Sequence, residues 1–142
     1  MQAQDVMNRA VITVRPHMPV AAAVALLVAH GVTSAPVVTA EGMLRGIVSE
    51  VDLLRAQPTV SEGTPEQATT AAEVMTPQPV TVRPTDELAD VAAVLLDRGV
   101  RAVPVVDDER LVGILSRHDV LVAIAQELPT PSRGPRPVER TA

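Results

Sequence analysis

The chain has 142 residues, 46% of them hydrophobic and 20% charged, enough to bury a core in one ordinary domain or in two half-sized units that share one. Its net charge of −5, with twelve Arg and no Lys, argues against a nucleic-acid partner, because such affinity comes mostly from cations on phosphates. The absence of Phe, Tyr and Trp removes the aromatic platforms that stack bases, and the absence of Cys excludes disulfides, thiolate chemistry and cysteine-ligated metals while fitting a reducing compartment.

The chain opens on a polar stretch, Gln2 to Arg9, with no secretory signal, so a cytoplasmic location and no membrane contact are expected. A short helix is expected over Ala3–Met7, followed by an extended segment, Val11–Val14. Arg15-Pro16 closes that segment, since proline pushes its predecessor toward extended geometry. A helix follows over Val20–His30, with Gly31 placed for a left-handed C-cap. Its run Val20–Ala29 is ten residues long, roughly half of the ~20 that span a bilayer. The run is apolar on every side, so the helix is either deep in a core or covered by a second copy, and a homodimer is expected. Strands are expected at Ala35–Thr39 and Met43–Val48, then a helix from Glu50 to about Arg55. Gln57–Thr69 is polar, with Pro and Gly, and reads as a linker.

The same order then recurs: a helix at Ala71–Met75, an extended segment at Val80–Val82 closed by Arg83-Pro84, a helix over Thr85–Arg98 and Gly99 as its cap. Here Leu88, Val91, Val94 and Leu95 form one apolar stripe, with Asp86, Glu87, Asp90 and Asp97 outside it. The apolar runs Val103–Val106 and Leu111–Leu115 flank an acidic turn and read as a buried hairpin, and a helix runs from Arg117 to about Leu128. Pro129–Ala142 is rich in proline and is expected to be disordered.

Aligning Asp5–Val38 with Glu73–Val106 and Leu44–Leu54 with Leu111–Leu121 gives 20 identities in 45 positions. The chain is thus a duplicated β-α-β-β-α unit of mixed α/β (α+β) class: repeat 1 over 1–56, a linker over 57–69, repeat 2 over 70–128 and a tail over 129–142. Neither half is large enough to be comfortable alone, so their sheets should pack together with pseudo-twofold symmetry, leaving clefts at the junction.

Two Ser-x-x-Asp elements, Ser49/Asp52 and Ser116/Asp119, stand where a strand gives way to a helix. Each reads as a capping box, in which Ser accepts from a helix N–H and the acid reaches back. Each also reads as a ligand element, because free N–H groups at a helix start favour phosphate and a nearby carboxylate can accept from ribose hydroxyls. Gly46 and Gly113, three residues before each Ser, would let a ligand approach the backbone. His17, His30 and His118 do not form a metal set, and Met7 and Met75 read as core or cleft wall. No nucleophile has a nearby base and no lysine serves a phosphate loop, so catalysis is not expected.

The pattern V-M…V-x-P…G-V-x-x-x-P-V-V…G-I-[VL]-S-x-x-D, present in both repeats over about residues 3–126, resembles the tandem cystathionine-β-synthase (CBS) domain pair, or Bateman module. The resemblance implies two units packed through their sheets, usually as disc-like dimers. It implies a regulatory module with adenine nucleotides or related adenosyl ligands in two clefts, and no tightly bound cofactor. AMP, ADP and ATP are the ligands it suggests first, with Mg²⁺ accompanying ATP, and S-adenosylmethionine or NAD(H) as alternatives. Carried onto this chain, one cleft would use Ser116, His118 and Asp119 with Ile12, Val32 and Thr33; the other would use Ser49 and Asp52 with Val80, Val100 and Arg101. Asp52 and Asp119 would hold ribose, Val32 and Val100 would lie on the adenine face, and Arg101 would meet phosphate. Glu50 adds a negative charge beside Ser49, so the two clefts are not equivalent. With no output domain in view, the signal would pass to a separate downstream protein. The competing expectation is a scaffold dimer whose clefts are empty.

Overall fold

The structure is a computed structural model and describes residues 1–57 and 70–129. The expected linker and tail, apart from Gln57 and Pro129, lie outside these residues.

Along the first half, α1 (Ala3–Val6) is followed by α2 (Val20–His30), β1 (Ser34–Val38), β2 (Leu44–Ser49) and α3 (Glu50–Arg55). The second half repeats the series with α4 (Ala71–Val74), β3 (Thr76–Pro77), α5 (Leu88–Arg98), β4 (Ala102–Asp107), β5 (Arg110–Ser116) and α6 (Arg117–Glu127). Gly31 and Gly99 both close their helices in the left-handed region, at φ 64°. The strand pairs β1–β2 and β4–β5 are antiparallel, and each carries a bulge at the same place, between Val37 and Val38 and between Val105 and Val106. The result is a mixed α/β fold of two antiparallel sheets and their helices, with one half echoing the other.

The expected first strands shrink to single bridging residues. Val14 lies parallel to Val37 and Val82 parallel to Val105. Val14 N–H donates to Pro36 O at 2.9 Å and Val14 O accepts from Val38 at 2.8 Å; Val82 does the same with Pro104 and Val106, at 3.0 and 2.8 Å. The next rung would need an N–H from Pro36 or Pro104, which proline lacks, so the ladder stops there. Helix α5 also begins later than expected, because Asp86 turns back to accept from Arg83 N–H at 2.8 Å and holds residues 83–86 as a turn.

The opening segments of the repeats are exchanged. Strand β3, from the second half, pairs with β2 of the first through Gly46↔Pro77 and Ile47↔Thr76. In the reciprocal place Asn8 and Ile114 trade backbone hydrogen bonds of 2.9 and 3.0 Å. The cores follow: Ala3 and Met7 are buried with Val82, Val91, Leu95, Val103, Val105, Leu115 and Val120, while Ala71 is buried with Val14, Val20, Ala23, Leu27, Ala35, Val37, Val48 and Leu53. Helices α1 and α4 therefore complete the core of the repeat they do not belong to in sequence.

This crossing corrects the sequence reading of Gly46 and Gly113. A Cβ at Gly46 would lie 2.6 Å from Met75 Sδ and 2.7 Å from Thr76 O; at Gly113 it would lie 2.6 Å from Met7 Sδ and 3.1 Å from Asn8 O. The missing side chains make room for the other repeat's chain, not for a ligand. At the opposite end the hairpin turns interlock, with Leu44 N–H donating to Glu109 O and Leu111 N–H to Gly42 O, both at 3.0 Å.

Candidate functional site at the junction of the repeats

Both Ser-x-x-Asp elements form full capping boxes. Ser49 Oγ accepts from Asp52 N–H at 3.2 Å, and Asp52 Oδ2 accepts from Ser49 N–H and from Ser49 Oγ–H, both at 2.9 Å. Ser116 Oγ accepts from Asp119 N–H at 3.0 Å, and Asp119 Oδ2 accepts from Ser116 N–H at 2.9 Å. Only Oδ2 of each carboxylate is engaged; Oδ1 has no hydrogen bond among the described residues. Both helix starts are also tied to the G-V-x-x loop of their own repeat: Glu50 N–H donates to Thr33 O at 3.0 Å and Arg117 N–H to Arg101 O at 2.9 Å.

Between the two loops lies a cavity of about 560 Å³, within the range of small-ligand sites. Its walls come from both repeats: Thr33, Ser34, Ile47, Ser49, Glu50 and Val51 from the first, and Thr76, Gln78, Pro79, Val80, Val100, Arg101, Ala102, Pro104 and Ile114 from the second. Val80 and Pro104 share this wall. Pro104 has no N–H to offer the Val80 C=O, and the Val80 N–H also carries no hydrogen bond among the described residues, leaving an acceptor and a donor at an apolar surface. Arg101 is exposed and its guanidinium has neither ion pair nor hydrogen bond among the described residues.

Of the residues the sequence grouped with Asp52, four line this cavity: Ser49, Val80, Val100 and Arg101. Asp52 is half-buried behind Ser49 and is not part of the wall. Thr33, grouped with the other cleft, lines this one too, because the two G-V-x-x loops converge. Ile12, Ser116, His118 and Asp119 stand outside it. Val32 instead lines a second cavity of about 560 Å³ between α2 and α3, with Val24, Leu27, Val28, Leu53 and Leu54. Asp119 is half-buried, His118 is exposed, and Ile12 is the first-repeat counterpart of Val80.

Sequence reasoning did not single out Gln78. It lines the cavity between Pro77 and Pro79 with φ 50°, a conformation costly for a residue with a side chain. The flanking prolines mark a special turn but do not disclose its hand. Among the described residues no three His, Cys, Asp or Glu side chains are placed to hold a metal ion, and no helix is long and apolar enough to cross a membrane.

Comparison with known proteins identifies the fold. The CBS domain model matches residues 3–59 and again residues 71–126. Among solved structures, CBSX2 in complex with AMP is 35% identical, with a TM-score of 0.77 over 88% of this chain and 96% of that one. The CBS domain pair of protein MJ0100, in complex with 5′-methylthioadenosine and S-adenosyl-L-methionine, is 25% identical with a TM-score of 0.74, covering 90% of this chain and 98% of that one. Among curated proteins, the CBS domain-containing protein YhcV of Bacillus subtilis is 33% identical over 84% of this chain and 82% of its own length. The chloroplastic CBSX1 of Arabidopsis thaliana is also 33% identical, over 80% of this chain but only 58% of its own length.

Proposed function

This chain belongs to the CBS domain family as a tandem pair, and from that premise we propose that it is a regulatory module, not a catalyst, that binds an adenosine-containing ligand at the junction of its repeats. One observation carries the reading: a cavity of about 560 Å³ walled by both repeats combines the apolar faces of Val80 and Val100, the open backbone groups of Val80 and the unpaired guanidinium of Arg101. The base lies between the two valines with its edge on the Val80 backbone, and phosphate meets Arg101. Asp52, whose Oδ1 has no partner, keeps the helix cap with one oxygen and takes a ribose hydroxyl with the other. By the internal duplication, Ile12, Val32, Thr33, Ser116, His118 and Asp119 would supply a second site of the same kind, in which Asp119 acts as Asp52 does. Adenine nucleotides, AMP first, are the leading ligand class, and S-adenosylmethionine or NAD(H) the alternatives. Where ATP binds, Mg²⁺ accompanies it.

Because the walls belong to different repeats, occupancy changes how the repeats sit together to the extent that the ligand prefers one arrangement. A separate protein, met in the cytoplasm, reads that change. The functional unit is a homodimer: Val28 and Leu96, at equal places in the two repeats, are 76% and 74% exposed, and Leu54 and Leu121 are 55% and 63% exposed on the helices beside them. Titration calorimetry with AMP, ATP, S-adenosylmethionine and NADH tests the reading. Saturable heat is expected with at least one ligand, and Arg101→Ala weakens a phosphate-bearing ligand about tenfold or more. No heat from any of the four refutes binding and leaves a scaffold dimer with empty clefts.

A further inference from the structure

The charges in the cavity wall go further than the ligand's base and sugar. Among the lining residues Arg101 is the sole cation and Glu50 the sole anion. They do not neutralise each other: neither side chain has an ion pair or hydrogen bond among the described residues, while both backbones are fixed, Glu50 through its N–H on Thr33 O and Arg101 through its C=O on Arg117 N–H. Arg117, whose N–H meets Arg101 O, is tied by Nε to Val100 O at 3.0 Å and is not part of the wall.

We infer that Glu50 is a specificity residue that limits the cavity to adenosyl ligands with a single phosphate and excludes triphosphates, an inference that rests on the adenosyl reading above. One phosphate satisfies Arg101. Each further phosphate brings negative charge to a wall that already holds an exposed carboxylate and offers no second cation. Like charges several ångströms apart at such a surface weaken binding by roughly tenfold per added charge.

Position 50 is free to vary in sign. Glu50 opens α3 as Arg117 opens α6, at equivalent places in the two repeats, so the same local fold accepts either charge. The carboxylate is therefore not a demand of the helix start.

The test is calorimetry with AMP and ATP on the full chain at low salt, with EDTA present so that both are metal-free anions. The wild-type chain binds AMP at least tenfold more tightly than ATP. Glu50→Gln narrows that ratio several-fold, mainly by tightening ATP, and Glu50→Arg closes or reverses it. Melting curves of both variants confirm folding, which the Arg at the equivalent position leads us to expect. If ATP binds the wild-type chain as tightly as AMP, or if the Glu50 variants move both ligands equally, the inference falls and the adenosyl site stands. If neither nucleotide binds any of the three proteins and S-adenosylmethionine and NADH also fail, the inference and the site fall together.

Discussion

Replacing Gly46 by Ala puts a methyl where the two repeats cross. The added carbon would sit 2.6 Å from Met75 Sδ and 2.7 Å from Thr76 O. Real Cβ contacts are longer than either. Met75 can swing aside, since its side chain is flexible and half-buried. The Thr76 carbonyl cannot, because it belongs to β3 and lies in the Ile47↔Thr76 pair. Relief therefore requires β3 to back away from β2, which loosens α4 from the core that Ala71 completes. Overpacking of this kind costs about 1–3 kcal/mol, and a rigid backbone atom puts Gly46→Ala at the upper end. For a chain of this size each kcal/mol is worth roughly 4 °C, so the melting temperature falls by about 8–12 °C. Gly31→Ala is the control: it sits at φ 64° with no atom near its Cβ position, so it pays only the conformational cost of about 1–2 kcal/mol. Differential scanning calorimetry on both variants decides. If Gly46→Ala melts within 2 °C of the wild-type chain, or above Gly31→Ala (roughly 4–8 °C below it), the exchanged crossing does not carry the load assigned to it.

Other substitutions probe separate parts of the same account. Glu109→Gly should raise stability by about 1 kcal/mol, since Asp108 and Glu109 hold the hairpin turn at φ 53° and 66°; an unchanged thermal midpoint would contradict this. Ser116→Ala removes the acceptor for Asp119 N–H and should cost about 1 kcal/mol in urea unfolding, with Ser116→Asp recovering most of it. Leu95, 2% exposed, should lose about 2–5 kcal/mol on truncation to Ala. Leu96→Asp, at a side chain 74% exposed, should leave the fold intact and shift sedimentation toward the monomer; unaltered sedimentation would remove α5 from the dimer face.

Local signals served well wherever a residue's role is set by its neighbours in sequence. The stripe of Leu88, Val91, Val94 and Leu95 marked the buried face of α5, where Val91 and Leu95 are buried and the other two half-buried. Gly31 and Gly99 marked helix ends because a left-handed residue is needed there. The crossing was hidden because it pairs residues far apart in the chain: Gly46 and Met75 each have a plausible local reading, and only their meeting explains both. Pro36 and Pro104 were read as strand residues, which they are, but their missing N–H also ends the neighbouring ladder and frees the backbone carbonyl of Val80. That consequence appears only once the parallel partner is known. In the site, Ser49, Val100 and Arg101 came from motif position, whereas Gln78 stayed out of reach because its hand is set by the wall it joins.

The most direct test of the central claim uses the composition itself. The chain has no Phe, Tyr or Trp, and its three His are exposed and outside the cavity wall, so an adenine base would be the dominant source of ring-current shifts there. Methyl-labelled NMR spectra recorded while AMP is added should show saturable shifts centred on Val80 and Val100, with Leu121, exposed on α6 and outside both cavities, unmoved. Saturation of AMP with no shift at Val80 and Val100, or with shifts centred on Val28 and Leu54, would contradict the account.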